Sequence, residues 1–156
     1  MVYRLLMLSD ENDFFKRELQ IDSEATFLEL NDFILDSLGY ARDELTTFHI
    51  CDEEWQKELE ITMMDMGASS DEDSYLMADT RLEDLLDHKG QHLFFVFDML
   101  SERGFFIELA ELIPGKSLDK PVVTKAEGKA PKQLESIEVA ASRLATPATG
   151  EPWDDE

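Results

Sequence analysis

Asp98 is the residue with the best claim to chemistry. It closes the run Phe94-Phe95-Val96-Phe97-Asp98, where a carboxylate facing apolar neighbours is a candidate general acid or base. The competing role is local: aspartate at a strand end caps the following turn by accepting backbone amides. His88 and His92 stand four apart, the spacing that brings two imidazoles to one helical face for zinc. Gly90 breaks such a helix between them and no third ligand of the right type is near. They therefore read as a helix-end histidine, favoured by the dipole, and a strand-start histidine. His49 and Cys51 share parity on one strand, but zinc wants three or four such ligands and the chain holds three His and one Cys. Cys51 is followed by Asp52, Glu53 and Glu54, which oppose thiolate formation and argue against a nucleophile.

The remaining motifs are weaker. Asp71-Glu72-Asp73 clusters oxygens for a hard cation, yet Leu76 and Leu82 occupy the sixth and twelfth positions where a calcium loop needs Gly and Glu, so the cluster reads as solvated loop charge. Met63, Met64, Met66 and Met77 flank that loop as core filler or as an adaptable contact surface. No Gly-rich phosphate loop, Ser-x-x-Lys or Gly-x-Ser-x-Gly is present. No cofactor is implied.

The elements that must position these residues follow from periodicity. Val2–Leu8 and Phe15–Ile21 form a hairpin across the turn Ser9 to Asp13. Thr26-Phe27-Leu28-Glu29 is a capping box that opens a helix over Phe27–Leu38, with Phe27, Leu30, Ile34 and Leu38 on one stripe and Gly39 as its stop. Strands are expected over Leu45–Ile50 and Trp55–Ile61, then a long loop over Met63–Asp79. Thr80-Arg81-Leu82-Glu83 repeats the capping box before a short second helix, and strands follow over His92–Asp98 and Gly104–Ile113. The expectation is an α+β single domain, ββ-α-ββ-α-ββ, with about six mostly antiparallel strands and two short helices.

Charge marks the boundaries. Of the 156 residues, 36 are acidic and 14 basic, net −22. Met1–Ile113 holds 28 acidic and 8 basic side chains and is the expected core domain. Residues 114–132 carry five Lys among Pro114, Gly115, Pro121, Gly128 and Pro131, a basic strap expected to pack across the acidic sheet. Residues 133–156 form an acidic tail expected to be disordered, in which Trp153 stands as a docking element. The basic stretch has no aromatic residue for base stacking and lies beside an acidic domain, which disfavours nucleic acid as a partner. No apolar run reaches the ~20 residues of a membrane span, no secretory signal opens the chain, and the lone Cys51 fits a reducing cytoplasm.

Arg4–Leu8, Phe15–Ile21 and Thr26–Tyr40, ending in Leu38-Gly39-Tyr40, resemble the opening of a bacterial family named after an open reading frame of a root-inducing plasmid, the pRi ORF-three-like family. Thr80–Leu86 is similar to its leucine-rich second helix, Phe95–Met99 stands at its aromatic-Asp strand turn, and Pro121–Pro131 is similar to its Pro- and Gly-containing strap. The resemblance spans Tyr3–Lys132 and implies an α+β fold with no established activity; some members accompany mobile elements. Leu100 and Ser101 replace the family's Gly and second Asp, and Arg103 and Phe105 its Trp and His, so Asp98 alone remains of the motif's polar set.

The functional expectation is a non-enzymatic cytoplasmic interaction module whose acidic surface meets a protein partner, with Met63, Met64, Met66 and Trp153 as contact residues. The alternatives are a small carboxylate-dependent enzyme using Asp98, and a DNA mimic or mobile-element accessory protein.

Overall fold

The computed structural model describes residues 1–64 and 74–133. Eight strands run in the order β1 (Val2–Ser9), β2 (Lys16–Asp22), β3 (Thr47–Cys51), β4 (Lys57–Thr62), β5 (Ser74–Leu76), β6 (His92–Asp98), β7 (Arg103–Ile113) and β8 (Val122–Glu127). Helix α1 (Phe27–Leu38) follows β2, and α2 (Leu82–Leu85) precedes β6. They form one open sheet, β5-β4-β3-β6-β7-β1-β2-β8, antiparallel except where β5 pairs with β4. The α+β class and the two helices stand as expected, but the sheet has eight strands rather than about six.

Both additional strands lie at sheet edges. β5 falls within the stretch expected to be loop; its three residues gain strand character by pairing with Glu60–Thr62. β8 falls within the basic strap and extends the sheet beside β2 instead of crossing its face.

Alternation along the strands divides the sheet into two faces. Tyr3, Leu5 and Met7 of β1, Leu19 and Ile21 of β2, Phe48 of β3, Phe95 and Phe97 of β6 and Phe105 and Ile107 of β7 point into one core with both helices. Rings interlock there, Phe15 stacked on Phe105 at 5.1 Å and Phe48 against Phe95 at 4.6 Å. Burying a side chain of this size contributes roughly 2–3 kcal/mol. Tyr3 turns its hydroxyl to the Leu86 carbonyl at 2.6 Å, satisfying its polar end within the core, and burial raises its pKa.

The first capping box is present as expected: the Glu29 amide donates to Thr26 Oγ1 at 3.1 Å and the Thr26 amide to Glu29 Oε1 at 2.8 Å. The second is displaced by one residue. Arg81 is the cap, and its amide donates to Asp84 Oδ2 at 2.9 Å. Thr80 serves elsewhere, its carbonyl accepting from the Phe27 amide at 2.9 Å, while Leu82 donates to Ala25. The two helix starts are thereby stitched together, each supplying partners for amides the other leaves open. Among the described residues no helix is long and apolar enough to cross a membrane.

Candidate functional site

The opposite face of the sheet carries the residues left over from the core. Cross-strand pairing arranges them in rows. One runs Glu60–His49–Phe94–Phe106–Leu8–Lys16 across β4, β3, β6, β7, β1 and β2. The next runs Lys57–Cys51–His92–Glu108–Leu6–Glu18. Among the described residues both helices pack on the other side, and Phe94, Phe106, His49 and His92 are only half-buried.

Trp55 joins this face from the β3–β4 turn. Asp52 Oδ1 accepts the amides of Glu54 and Gln56 at 2.8 and 2.9 Å, and the Asp52 carbonyl accepts from Trp55 at 3.0 Å. The bonds hold Trp55 at φ 65, a left-handed conformation unusual for a bulky residue. The indole then lies parallel to His92, with centroids 3.9 Å apart, and meets Phe106 edge-on at 5.0 Å. Phe94 packs on Phe106 at 5.0 Å, and Lys57 Nζ stands 5.6 Å above the Phe94 ring. The ring has room because residue 104 is glycine; a Cβ there would fall 2.7 Å from Phe94 Cζ and 2.4 Å from the Phe95 carbonyl.

Beside the aromatic cluster a groove of about 640 Å3 opens between the β3–β4 turn and the loop entering β6. Cys51, His88 and His92 line it together with Asp52, Glu53, Glu54 and Glu58, while His49 lies farther along the sheet face. Three of the four metal candidates thus border one cleft. Among the described residues, however, no three His, Cys, Asp or Glu side chains converge to hold a metal. His88 Nδ1 is 2.7 Å from Asp87, and His92 Nδ1 is 3.1 Å from the Asp52 carbonyl. Burial pushes the Cys51 thiol up to about 11, a shift reinforced by Asp52 and Glu58 and opposed by Lys57, which leaves it a poor nucleophile at neutral pH. Burial, with Lys57 beside it, lowers His49 to about 4, so that imidazole is neutral at pH 7.

Asp98 sits away from this cleft and is 4% exposed. Its Oδ2 accepts from Arg103 Nη1 at 3.1 Å and its Oδ1 from the Ser101 amide at 3.3 Å, the geometry of a hairpin-turn cap. Asp98→Asn keeps an acceptor there and leaves Arg103 with Glu11. The expected loss is about 1 kcal/mol, read as a lowered urea midpoint; a loss above ~3 kcal/mol would refute this supporting role.

Met63 packs against the core and its sulfur accepts the Thr46 amide at 3.4 Å, whereas Met64 is 53% exposed. Met66, Trp153 and the Asp71–Asp73 cluster lie outside the described residues. Sequence reasoning missed Trp55, Phe94 and Phe106 as surface residues. Trp55 reads as the first residue of a strand, and the unbroken apolar run from Leu93 to Phe97 conceals which rings face outward. The available signal was parity with His92.

An open, mostly antiparallel sheet with both helices on one face and, among the described residues, an aromatic cluster and no helix on the other places this chain among α+β domains. The family described as plasmid pRiA4b ORF-3-like protein matches residues 2–137, and the chain belongs to that family. A similar solved structure is the protein of unknown function MM3350 from Methanosarcina mazei Go1, 17% identical, with a TM-score of 0.64 over 80% of this chain and 68% of that one. At that identity the likeness concerns the fold. No curated protein matches the chain by sequence.

Proposed function

We propose that the chain is a non-enzymatic protein-interaction module, and that the sheet face opposite its two helices docks a partner segment carrying Lys or Arg beside apolar side chains. The observation that carries this reading is the cluster of Trp55, His92, Phe94 and Phe106 on the side of the sheet opposite both helices. Aromatic side chains give large contact area at low entropic cost and are enriched at the centres of interfaces. The surrounding charges select the partner: Glu53, Glu54 and Glu58 border the groove, Glu60 and Glu108 lie in the strand rows, and the whole chain is −22. A basic segment is steered by that field. Lys57 above Phe94 shows how a cation meets these rings.

The test uses the full chain with Trp153→Phe, which leaves Trp55 as the sole indole. Its fluorescence is followed against peptides alternating Lys or Arg with Leu or Val, with Glu-substituted peptides as controls. Basic peptides are expected to bind in a salt-dependent manner, and Phe106→Ser is expected to weaken them at least tenfold. Equal binding of basic and acidic peptides, or binding indifferent to Phe106→Ser, would sink the reading.

A further inference from the structure

Residues 122–133 are held in a way that the sheet face does not explain. β8 adds to the edge of β2 with all six of its residues exposed, Val122 and Val123 at 40% and 38%, so little apolar surface secures it. Beyond it, side chains distant in sequence take up the backbone. Arg17 donates to the carbonyls of Glu127 and Gly128 at 2.7 and 3.1 Å, and Asn12 to that of Lys129 at 2.7 Å. The Tyr40 hydroxyl donates to the Pro131 carbonyl, and Arg103 to those of Lys132 and Gln133 at 2.6 and 3.2 Å. Gln133 closes the run through its side-chain amide, which accepts from Ala41 N at 2.7 Å and donates to Ala41 O at 2.8 Å.

Six of the seven carbonyls from Glu127 to Gln133 are therefore read by side chains. Such bonds are a minority in folded proteins, and their concentration on one extended stretch defines a surface suited to backbone. Burial raises Tyr40 to about 12, which keeps its hydroxyl a donor throughout the neutral range. A sheet edge continued by carbonyl-directed donors is the chemistry by which extended peptides are recognised.

We propose that the edge of β2, with Asn12, Arg17, Tyr40 and Arg103, is a binding site for an extended peptide, and that besides the chain's own residues 122–133 it takes the same segment of a second copy. Gly128 decides the occupant. It adopts φ +74, and a Cβ there would lie 2.2 Å from the Phe14 carbonyl, so the site demands glycine at this place in the peptide. A second copy's segment supplies it in register. Residues 114–121, with Pro at both ends, are the pivot for exchange. Tethering through so short a connection gives an effective concentration of roughly the mM range, so the chain's own segment wins in dilute solution. The site is separate from the aromatic sheet face, and its test does not depend on that proposal.

A fluorescein-labelled peptide of residues 120–133 is titrated into the full chain and into the full chain carrying Gly128→Ala, in which the tethered segment no longer fits. Binding to the variant is expected to be at least tenfold tighter than to the unmodified chain, and a peptide that itself carries Gly128→Ala is expected to bind neither. Equal binding to both chains, or binding to neither, would overturn the proposal. Should Gly128→Ala prevent folding, the unmodified sequence with a protease site inserted between Lys116 and Ser117 decides. After cleavage, labelled peptide in excess is expected to enter the cleft and remain through gel filtration, and its failure to do so overturns the site. A dimer that forms on incubation at mM concentration, and that Gly128→Ala abolishes, is the expected sign of exchange between copies. A monomer at every concentration overturns that part.

Discussion

Replacing Arg103 with Ala is expected to remove about 3 kcal/mol of folding stability, seen as a lower urea midpoint with an unchanged m-value. The guanidinium donates to both oxygens of Glu11 at 2.9 Å and to Asp98 at 3.1 Å, and it stands 5.0 Å over the Phe97 ring. Glu11, and to a lesser degree Asp98, raise its pKa, so the charge is firmly held. Asp98 is almost fully enclosed and loses its counter-charge when Arg103 is shortened. An uncompensated buried charge costs about 3–5 kcal/mol; the lower end applies because Arg103 and Glu11 are 16% and 33% exposed. Most of the loss then comes from the stranded carboxylate. Asp98→Asn added to Arg103→Ala is therefore expected to restore part of the stability, a sign that non-additive contacts produce. Arg103→Lys is expected to fall between, because an ammonium cannot reproduce the bidentate fork on Glu11. A loss below ~1 kcal/mol for Arg103→Ala, or full additivity in the double variant, would contradict this account.

Arg103 also shows where sequence reasoning stops. In the chain it is a lone basic residue after the turn that Asp98 opens. Its partners Glu11, Lys132 and Gln133 are tens of residues away in either direction, and no local pattern announces them. Features with local causes were legible. The Thr26–Glu29 capping box and the stripe from Phe27 onward locate α1 because every determinant lies within one helix. The second box was misplaced by one residue because Thr80 stays extended, its carbonyl accepting the Phe27 amide, and the helix starts one residue later with Arg81 as its cap. β5 is strand because β4 offers it an edge, and three residues carry no periodicity to detect. β8 has the β-branched Val122, Val123 and Thr124, but Pro121 and Gly128 on either side read as punctuation. The site divides in the same way. Asp98 stood out as a carboxylate after a Phe-rich strand, and the turn-capping alternative could be stated from sequence alone. Trp55 could not be placed, since strand propensity and the Asp52 turn pull in opposite directions and the turn prevails.

Acid sensitivity supplies the second large effect, and it arises on the sheet face itself. His49 lies between Glu60 and Phe94 in its row, with Cys51 two residues along its strand and Lys57 as the nearby cation. Burial, then Lys57, lowers it from 6.5 to about 4, and the carboxylate of Glu60 opposite does not reverse that shift. In the unfolded chain the same imidazole takes a proton near its ordinary pKa of about 6.5. Between those two values the unfolded state binds more protons, so stability is complete above pH 6.5 and declines as the pH falls toward 4. For a dry site a shift of this size is worth about 3 kcal/mol, and the half-buried position reduces it to about 2 kcal/mol. His49→Gln removes the titrating group while keeping a polar side chain of similar reach. The difference in urea midpoint between the two proteins is therefore expected to be constant above pH 6.5 and to shift in favour of the variant as the pH is lowered through 5. The many carboxylates titrate in both proteins and cancel in that difference. A difference that stays flat from pH 7.5 to 4.5 would show that His49 takes its proton as readily as in the unfolded chain, and would place a cation below about pH 6.5 in the surface proposed to receive one. A sloping difference instead keeps that surface free of positive charge from His49 down to mildly acid pH, the condition under which its rings and flanking acids favour a basic segment.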